Sequence, residues 1–190
     1  TIEHIVVAEA AAKEAAMEEL VLKAKEAGID ICFMSKGDSI EINDASGSRD
    51  TANEETDGIM CLYPGTADTA SDRNDMCLVL KLTDGAFSGI FGGDIPAEVE
   101  KELVAEYGKE LSVDFYKANH HGSKYSGSKE WIEALSPRWA AVSCAAENRY
   151  GHPADEAMER LTDAKCRIFY TMQSGQIKYK ESAIYENNRQ

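Results

Sequence analysis

Short apolar runs of period two alternate along this chain with longer stretches whose apolar residues recur at three- and four-residue steps. That alternation predicts an α/β layered domain. Residues 5–8 read as a strand leading into a helix over about 10–27. There Met17, Leu20, Val21, Ala24 and Ala27 share one face, and Gly28 supplies a left-handed stop. Segments 31–34 and 40–42 flank Lys36-Gly37-Asp38, the pattern of a hairpin. Segment 43–58 carries Asp44, Asp50, Glu54, Glu55 and Asp57 without a large apolar residue. It reads as a flexible polar insertion, and its carboxylates lack the spacing of a calcium loop.

Further on, 59–63 reads as a strand, and 76–82 and 87–91 are joined by Thr83-Asp84-Gly85-Ala86 as a second hairpin. Pro96 suits the first turn of a helix bearing Val99, Leu103 and Tyr107, closed by Gly108. A strand over 113–118 ends at Asn119-His120-His121-Gly122-Ser123, and a short helix follows with Trp131, Ile132 and Leu135. Next come a strand over 139–144, a loop ending in Gly151-His152-Pro153, and a helix to about 164. Segments 167–172 and 176–179 predict a last hairpin around Ser174-Gly175.

The chain has 190 residues, enough for one sizeable core, so one domain over 1–190 is expected. No apolar run approaches the ~20 residues of a membrane helix, and no basic cluster followed by an apolar stretch marks a secretory signal. A net charge of −14 argues against a general nucleic-acid-binding surface while leaving room for a locally basic mouth. The five cysteines form no C-x-x-C pair and mostly sit among apolar neighbours, which predicts buried reduced thiols.

Three of the four histidines, His120, His121 and His152, lie just after strands, as does Asp94 within Gly92-Gly93-Asp94-Ile95. Loops leaving the strands of one sheet edge converge on a common rim. Alone, Gly93-Asp94 is an ordinary helix cap and Gly151-His152-Pro153 an ordinary turn. An adjacent histidine pair is different, because neighbouring side chains leaving a strand diverge: one can bind a metal while the other faces a substrate. Together the four positions read as one site. Lys117, Lys124 and Arg149 lie near it, either to neutralise phosphate or as ordinary surface charge.

In series, the runs Asn74-Asp75-Met76-Cys77-Leu78-Val79-Leu80-Lys81-Leu82, Gly92-Gly93-Asp94-Ile95, His120-His121-Gly122-Ser123-Lys124 and Asn148-Arg149-Tyr150-Gly151-His152-Pro153 resemble the ComEC family. These are metallo-β-lactamase superfamily hydrolase domains of bacterial DNA-uptake competence proteins. The resemblance is strong over about 74–179 and weaker over 2–64. It implies an αββα sandwich and two divalent metal ions, zinc being expected, in the complete domain. In those terms Asp94 bridges the ions and His121 ligates metal, while His120 contacts a substrate phosphate and His152 stands beside the substrate. The implied reaction is metal-assisted hydrolysis of a phosphoester or nucleic acid, with the cations stabilising entering and leaving oxygens.

One departure matters. The superfamily's H-x-H-x-D-H cluster has no counterpart: only His4 precedes residue 120, and Glu9-Ala10-Ala11-Ala12-Lys13-Glu14 supplies no such ligand set. The expectation is therefore the C-terminal part of the domain, binding metal weakly or not at all and inactive alone, although its parent protein is an enzyme. A partial domain should also self-associate through exposed edges. The competing expectation is a degenerate, non-catalytic domain with a scaffold or interaction role. Neither reading specifies a compartment.

Overall fold

In the computed structural model the described residues are 2–42, 57–65, 73–180 and 183–187. All but the end of the polar insertion expected at 43–58 lies outside them.

Strand β1 (His4–Ala8) runs through a 3-10 turn, Glu9–Ala11, into α1 (Ala15–Glu26). The helix starts later than its apolar spacing predicts because Glu14 keeps extended backbone. Gly28, at φ +70°, ends it as expected. Then follow β2 (Asp30–Met34), β3 (Ser39–Glu41), β4 (Gly58–Tyr63), β5 (Val79–Asp84) and β6 (Phe87–Phe91). Helix α2 (Ala97–Tyr107) precedes β7 (Phe115–Lys117), and α3 (Lys129–Leu135) precedes β8 (Trp139–Val142). Helix α4 (Asp155–Asp163) precedes β9 (Arg167–Tyr170), and the one-turn α5 (Thr171–Ser174) leads to β10 (Gln176–Lys180) and β11 (Ala183–Asn187).

Strands β3 to β9 form a seven-stranded sheet in sequence order. Its first half is antiparallel, and β6, β7, β8 and β9 run parallel. The parallel half follows from the alternation of strand and helix, since a parallel neighbour needs a crossover. Period-two alternation sorts the faces. Ile90, Tyr116, Ala140 and Val142 point into a core shared with Val99 and Leu103 of α2, Trp131, Ile132 and Leu135 of α3, and Leu161 of α4. Phe87, Phe115 and Trp139 take the other face, where Tyr179 of β10 stacks on Phe87 with ring centroids 3.8 Å apart. The α/β class expected from the sequence holds.

Two pairings differ from expectation. Segments 31–34 and 40–42 do not form a hairpin: β2 lies parallel to β1 in a separate two-stranded sheet, and β3 pairs with β4. The turn between them is tied to β4 and the residue after it, with Gly37 N donating to Cys61 O and Lys36 N to Pro64 O. At the end of the chain, β9 completes the main sheet beside β8, and β10 pairs with β11. The expected hairpin at Ser174-Gly175 is thus replaced by the single turn of α5. The cysteines are all free, but Cys32 is exposed, whereas Cys61 and Cys166 are buried.

Candidate active site

The carboxyl ends of three neighbouring parallel strands carry the four singled-out residues or the groups that orient them. This is the edge where open α/β sheets bind ligands. After β6 the chain turns through Gly92 and Gly93, and a Cβ on Gly92 would lie 2.6 Å from Asn119 Oδ1. Only glycine lets the β6 and β7 loops approach so closely. His120 N donates to Gly93 O at 2.9 Å and joins the two loops.

His120 and His121 both adopt left-handed backbone, at φ 47° and 56°. Such conformations cost about 1–3 kcal/mol each for non-glycine residues and persist where surrounding bonds over-determine them. Here the bonds come from below. Asn119 N donates to Tyr116 OH at 2.9 Å, and Asn119 Nδ2 donates to Glu100 Oε1 at 2.9 Å. Glu100 is fully buried and also accepts from Gly127 N and Ser128 N. One carboxylate from α2 therefore ties the histidine turn to the start of α3.

The outcome is a defined face for each histidine. His121 Nδ1 lies 2.7 Å from Ser143 O; a carbonyl can only accept, so Nδ1 carries the proton. In the neutral ring Nε2 is then an acceptor, and it stands 3.6 Å from Asp94 Oδ1. Two acceptors face one another across that gap, an arrangement that a cation or a proton relieves. Two ligands at about 2.0–2.1 Å from a tetrahedral ion are separated by about 3.3 Å. Asp94 and His121 therefore fit as two donors to one divalent cation. Among the described residues no cluster of three or more histidine, cysteine, aspartate or glutamate side chains is placed to hold a metal. The donor set present is partial.

His120 and His152 face each other edge to face, with ring centroids 5.6 Å apart. His152 is positioned by Asn148, whose Oδ1 accepts from His152 N and Tyr150 N and whose Nδ2 donates to His152 O. Its Nδ1 is buried without a hydrogen-bond partner. Burial lowers the His152 pKa, and His120 and His121 lower it further against the opposing pull of Asp94. The ring is therefore a neutral base near pH 7. Lys117, whose Nζ donates to Ala118 O at 2.8 Å, also has a lowered pKa; burial outweighs the attraction of Asp94 and Cys77. Lys124 and Arg149 lie against the rings of Tyr125 and Tyr150.

Sequence reasoning gave no role to Glu100, Tyr116, Asn119, Ser143 or Asn148. Glu100 had a signal, a carboxylate at core spacing between Pro96 and Leu103. Asn148 lay inside a motif but was given no task. Ser143 acts through its backbone carbonyl and has no side-chain signature.

The chain is similar over most of its length to competence proteins of bacteria. It is 30% identical to ComE operon protein 3 of Bacillus subtilis (strain 168) over 179 residues, 94% of this chain. It is 29% identical over 118 residues, 62% of the chain, to competence protein ComA of Neisseria gonorrhoeae. It is 28% identical over 121 residues, 64% of the chain, to the uncharacterized protein YcaI of Escherichia coli (strain K12). These stretches amount to 21%, 17% and 16% of the respective relatives, so the chain spans about a fifth of their length. No protein-family model matches it.

Proposed function

We propose that this chain is part of a ComEC-type metal-dependent hydrolase domain of the metallo-β-lactamase superfamily, acting on a phosphoester when the domain is complete. The reading is carried by one observation: Asp94 Oδ1 and His121 Nε2 confront each other at 3.6 Å beside the His120–His152 pair, at the carboxyl ends of parallel strands. Similarity to competence proteins over 94% of the chain, in the case of ComE operon protein 3, supports the same assignment.

In this reading Asp94 and His121 hold divalent metal, zinc by the chemistry of the donors. Bound there, the cation supplies positive charge that polarises a phosphoester. His120 orients a phosphate oxygen, and neutral His152 accepts a proton in the cavity they share. Lys117 adds a cation close to Asp94. Two ions of about four donors each need more ligands than Asp94 and His121 provide, so further donors complete the site in the longer protein. For the fold we propose the αββα sandwich, with β1–β2 and β10–β11 as portions of its second layer; the stacking of Tyr179 on Phe87 supports that placement.

Zinc titration by calorimetry tests the site. The expected result is weak binding by the 190-residue chain that Asp94→Ala and His121→Ala each abolish. A phosphodiester reporter should be untouched by this chain and cleaved by the longer protein, with Asp94→Ala removing that turnover. Zinc binding indifferent to both substitutions overturns the proposal.

A further inference from the structure

The helix-bearing face of the main sheet is left open at its antiparallel end. Met60 lies on β4, which is paired on both sides, and the register sets it beside Ser39 of β3 and Lys81 of β5. Lys81 in turn pairs with Ile90, which belongs to the core built with α2, α3 and α4. Directly paired residues share a face, so Met60 points to the side that those helices cover farther across the sheet. A large apolar side chain on an interior strand is normally buried by a second layer. Met60 is 49% exposed.

A cavity of about 450 Å³ stands over it. Met60, Leu62 and Thr83 contribute its floor, and Tyr107 of α2 with Leu111 of the following 3-10 turn contributes one wall. That wall is fastened to the sheet: Tyr107 OH donates to Leu62 O at 3.4 Å, and Lys81 Nζ donates to Glu110 O at 2.8 Å. Adjacent strands lie about 4.7–4.9 Å apart and packed helices about 8–10 Å. The three strands β3 to β5 therefore offer a slot about one helix wide beside α2. Its rim carries three exposed carboxylates, Glu41, Asp57 and Glu110, against the single cation Lys81 among the described lining residues.

We infer that this slot is a docking site for an amphipathic helix of a partner, apolar along one face and basic along its flanks. Width and floor suit a row of apolar side chains at helical spacing. Charge selects the flanks: the rim is acidic, and the chain as a whole carries −14, so a basic partner is attracted and an acidic one repelled. A second copy of this chain brings the same negative charge. An added strand would pair with the outer edge of β3 and leave Met60 uncovered. The slot shares no described lining residue with the cavities beside His121 and His152, so the inference stands apart from the phosphoester reading.

Calorimetry with a leucine–lysine peptide of about 18 residues, long enough to hold a helix, tests this on the 190-residue chain. The comparison peptides are the same residues reordered so that the leucines scatter round the helix, and a leucine–glutamate counterpart. The leucine–lysine helix with one apolar face should bind tightest, and less tightly in high salt. Met60→Lys, and Glu41→Lys combined with Glu110→Lys, should each weaken it by about tenfold or more, whereas Met60→Leu should keep it. In spectra of isotope-labelled methionine methyls the peptide should move the Met60 signal, assigned by its loss in Met60→Leu, and leave those of Met158 and Met172 in place. Absence of binding, equal binding of the reordered peptide, full affinity in Met60→Lys or an unmoved Met60 signal overturns the inference. A Met60 signal that shifts with protein concentration alone also overturns it, because the occupant is then a second copy. Zinc binding at Asp94 and His121 should be the same in all these variants, whichever way the peptide result falls.

Discussion

His152 shows how one side chain's surroundings set its chemistry. Its Nδ1 is enclosed without a partner, and burial with two neighbouring imidazoles lowers its pKa below the ordinary histidine value of about 6.5. The folded chain thus takes up the His152 proton at a lower pH than the unfolded chain does. Between those two values the unfolded state binds more protons, so stability is full at neutral pH and falls as the pH drops through the ordinary value. Urea denaturation between pH 7 and pH 5 should show this decline, and a His152→Asn variant should show a shallower one; identical slopes would remove the argument. The Glu100 carboxylate is the counterpart of His152, wholly buried yet satisfied by three hydrogen bonds. A tolerated buried charge of this kind needs such satisfaction. Its position at core spacing was visible in the sequence; its partners were not, because they lie 19 to 28 residues away.

The elements around the site depend on tight turns. Gly122, at φ +79°, follows the two left-handed histidines, and a Cβ there would lie 2.9 Å from Pro153 Cβ. Its carbonyl also accepts from Ala154 N, which joins the β7 loop to the start of α4. Gly122→Ala meets both a positive φ and a rigid ring, so it should destabilise the chain by roughly 1–3 kcal/mol. The shift should displace His121 from Ser143 O and Asp94. Chemical denaturation measures the first effect, and zinc titration the second. At this scale the sequence was readable where a turn joins two strands that pair with each other. The β5–β6 hairpin around Gly85 stands as its pattern predicts. The turn at Lys36-Gly37-Asp38 does close locally, Asp38 N donating to Ser35 O, but Gly37 N donates to Cys61 O of β4 and Lys36 N to Pro64 O, more than twenty residues away, and β3 pairs with β4 rather than with β2.

At the scale of the whole molecule, apolar edge is exposed among the described residues. Strand β3 is an outer strand of the main sheet, Ile40 and Met60 are exposed beside it, and Phe33 is exposed on the small β1–β2 sheet. A two-stranded sheet is at best marginal alone, and open edges invite pairing with other chains. The 190-residue chain should therefore self-associate, more strongly in high salt, which screens the repulsion of its −14 charge. Sedimentation velocity across a concentration series checks this, with Ile40→Lys expected to weaken the association. A monomer at every concentration and salt level would refute it.

The order of strands and helices, the faces they bury and the placement of Asp94, His120 and His121 just beyond strands were set by local pattern; His152, expected just after a strand too, lies in the loop ahead of α4, well past the end of β8 at Val142. Each of these depends on residues within a few positions of one another, and side-chain period follows directly from backbone geometry. Only the tertiary structure decided that β2 joins β1 and β10 joins β11. It alone fixed the His121 tautomer through Ser143 and set Glu100 beneath the histidine turn. Backbone donors and acceptors are nearly identical at every residue, so a strand's sequence states which side is apolar but not which neighbour will complete its hydrogen bonds.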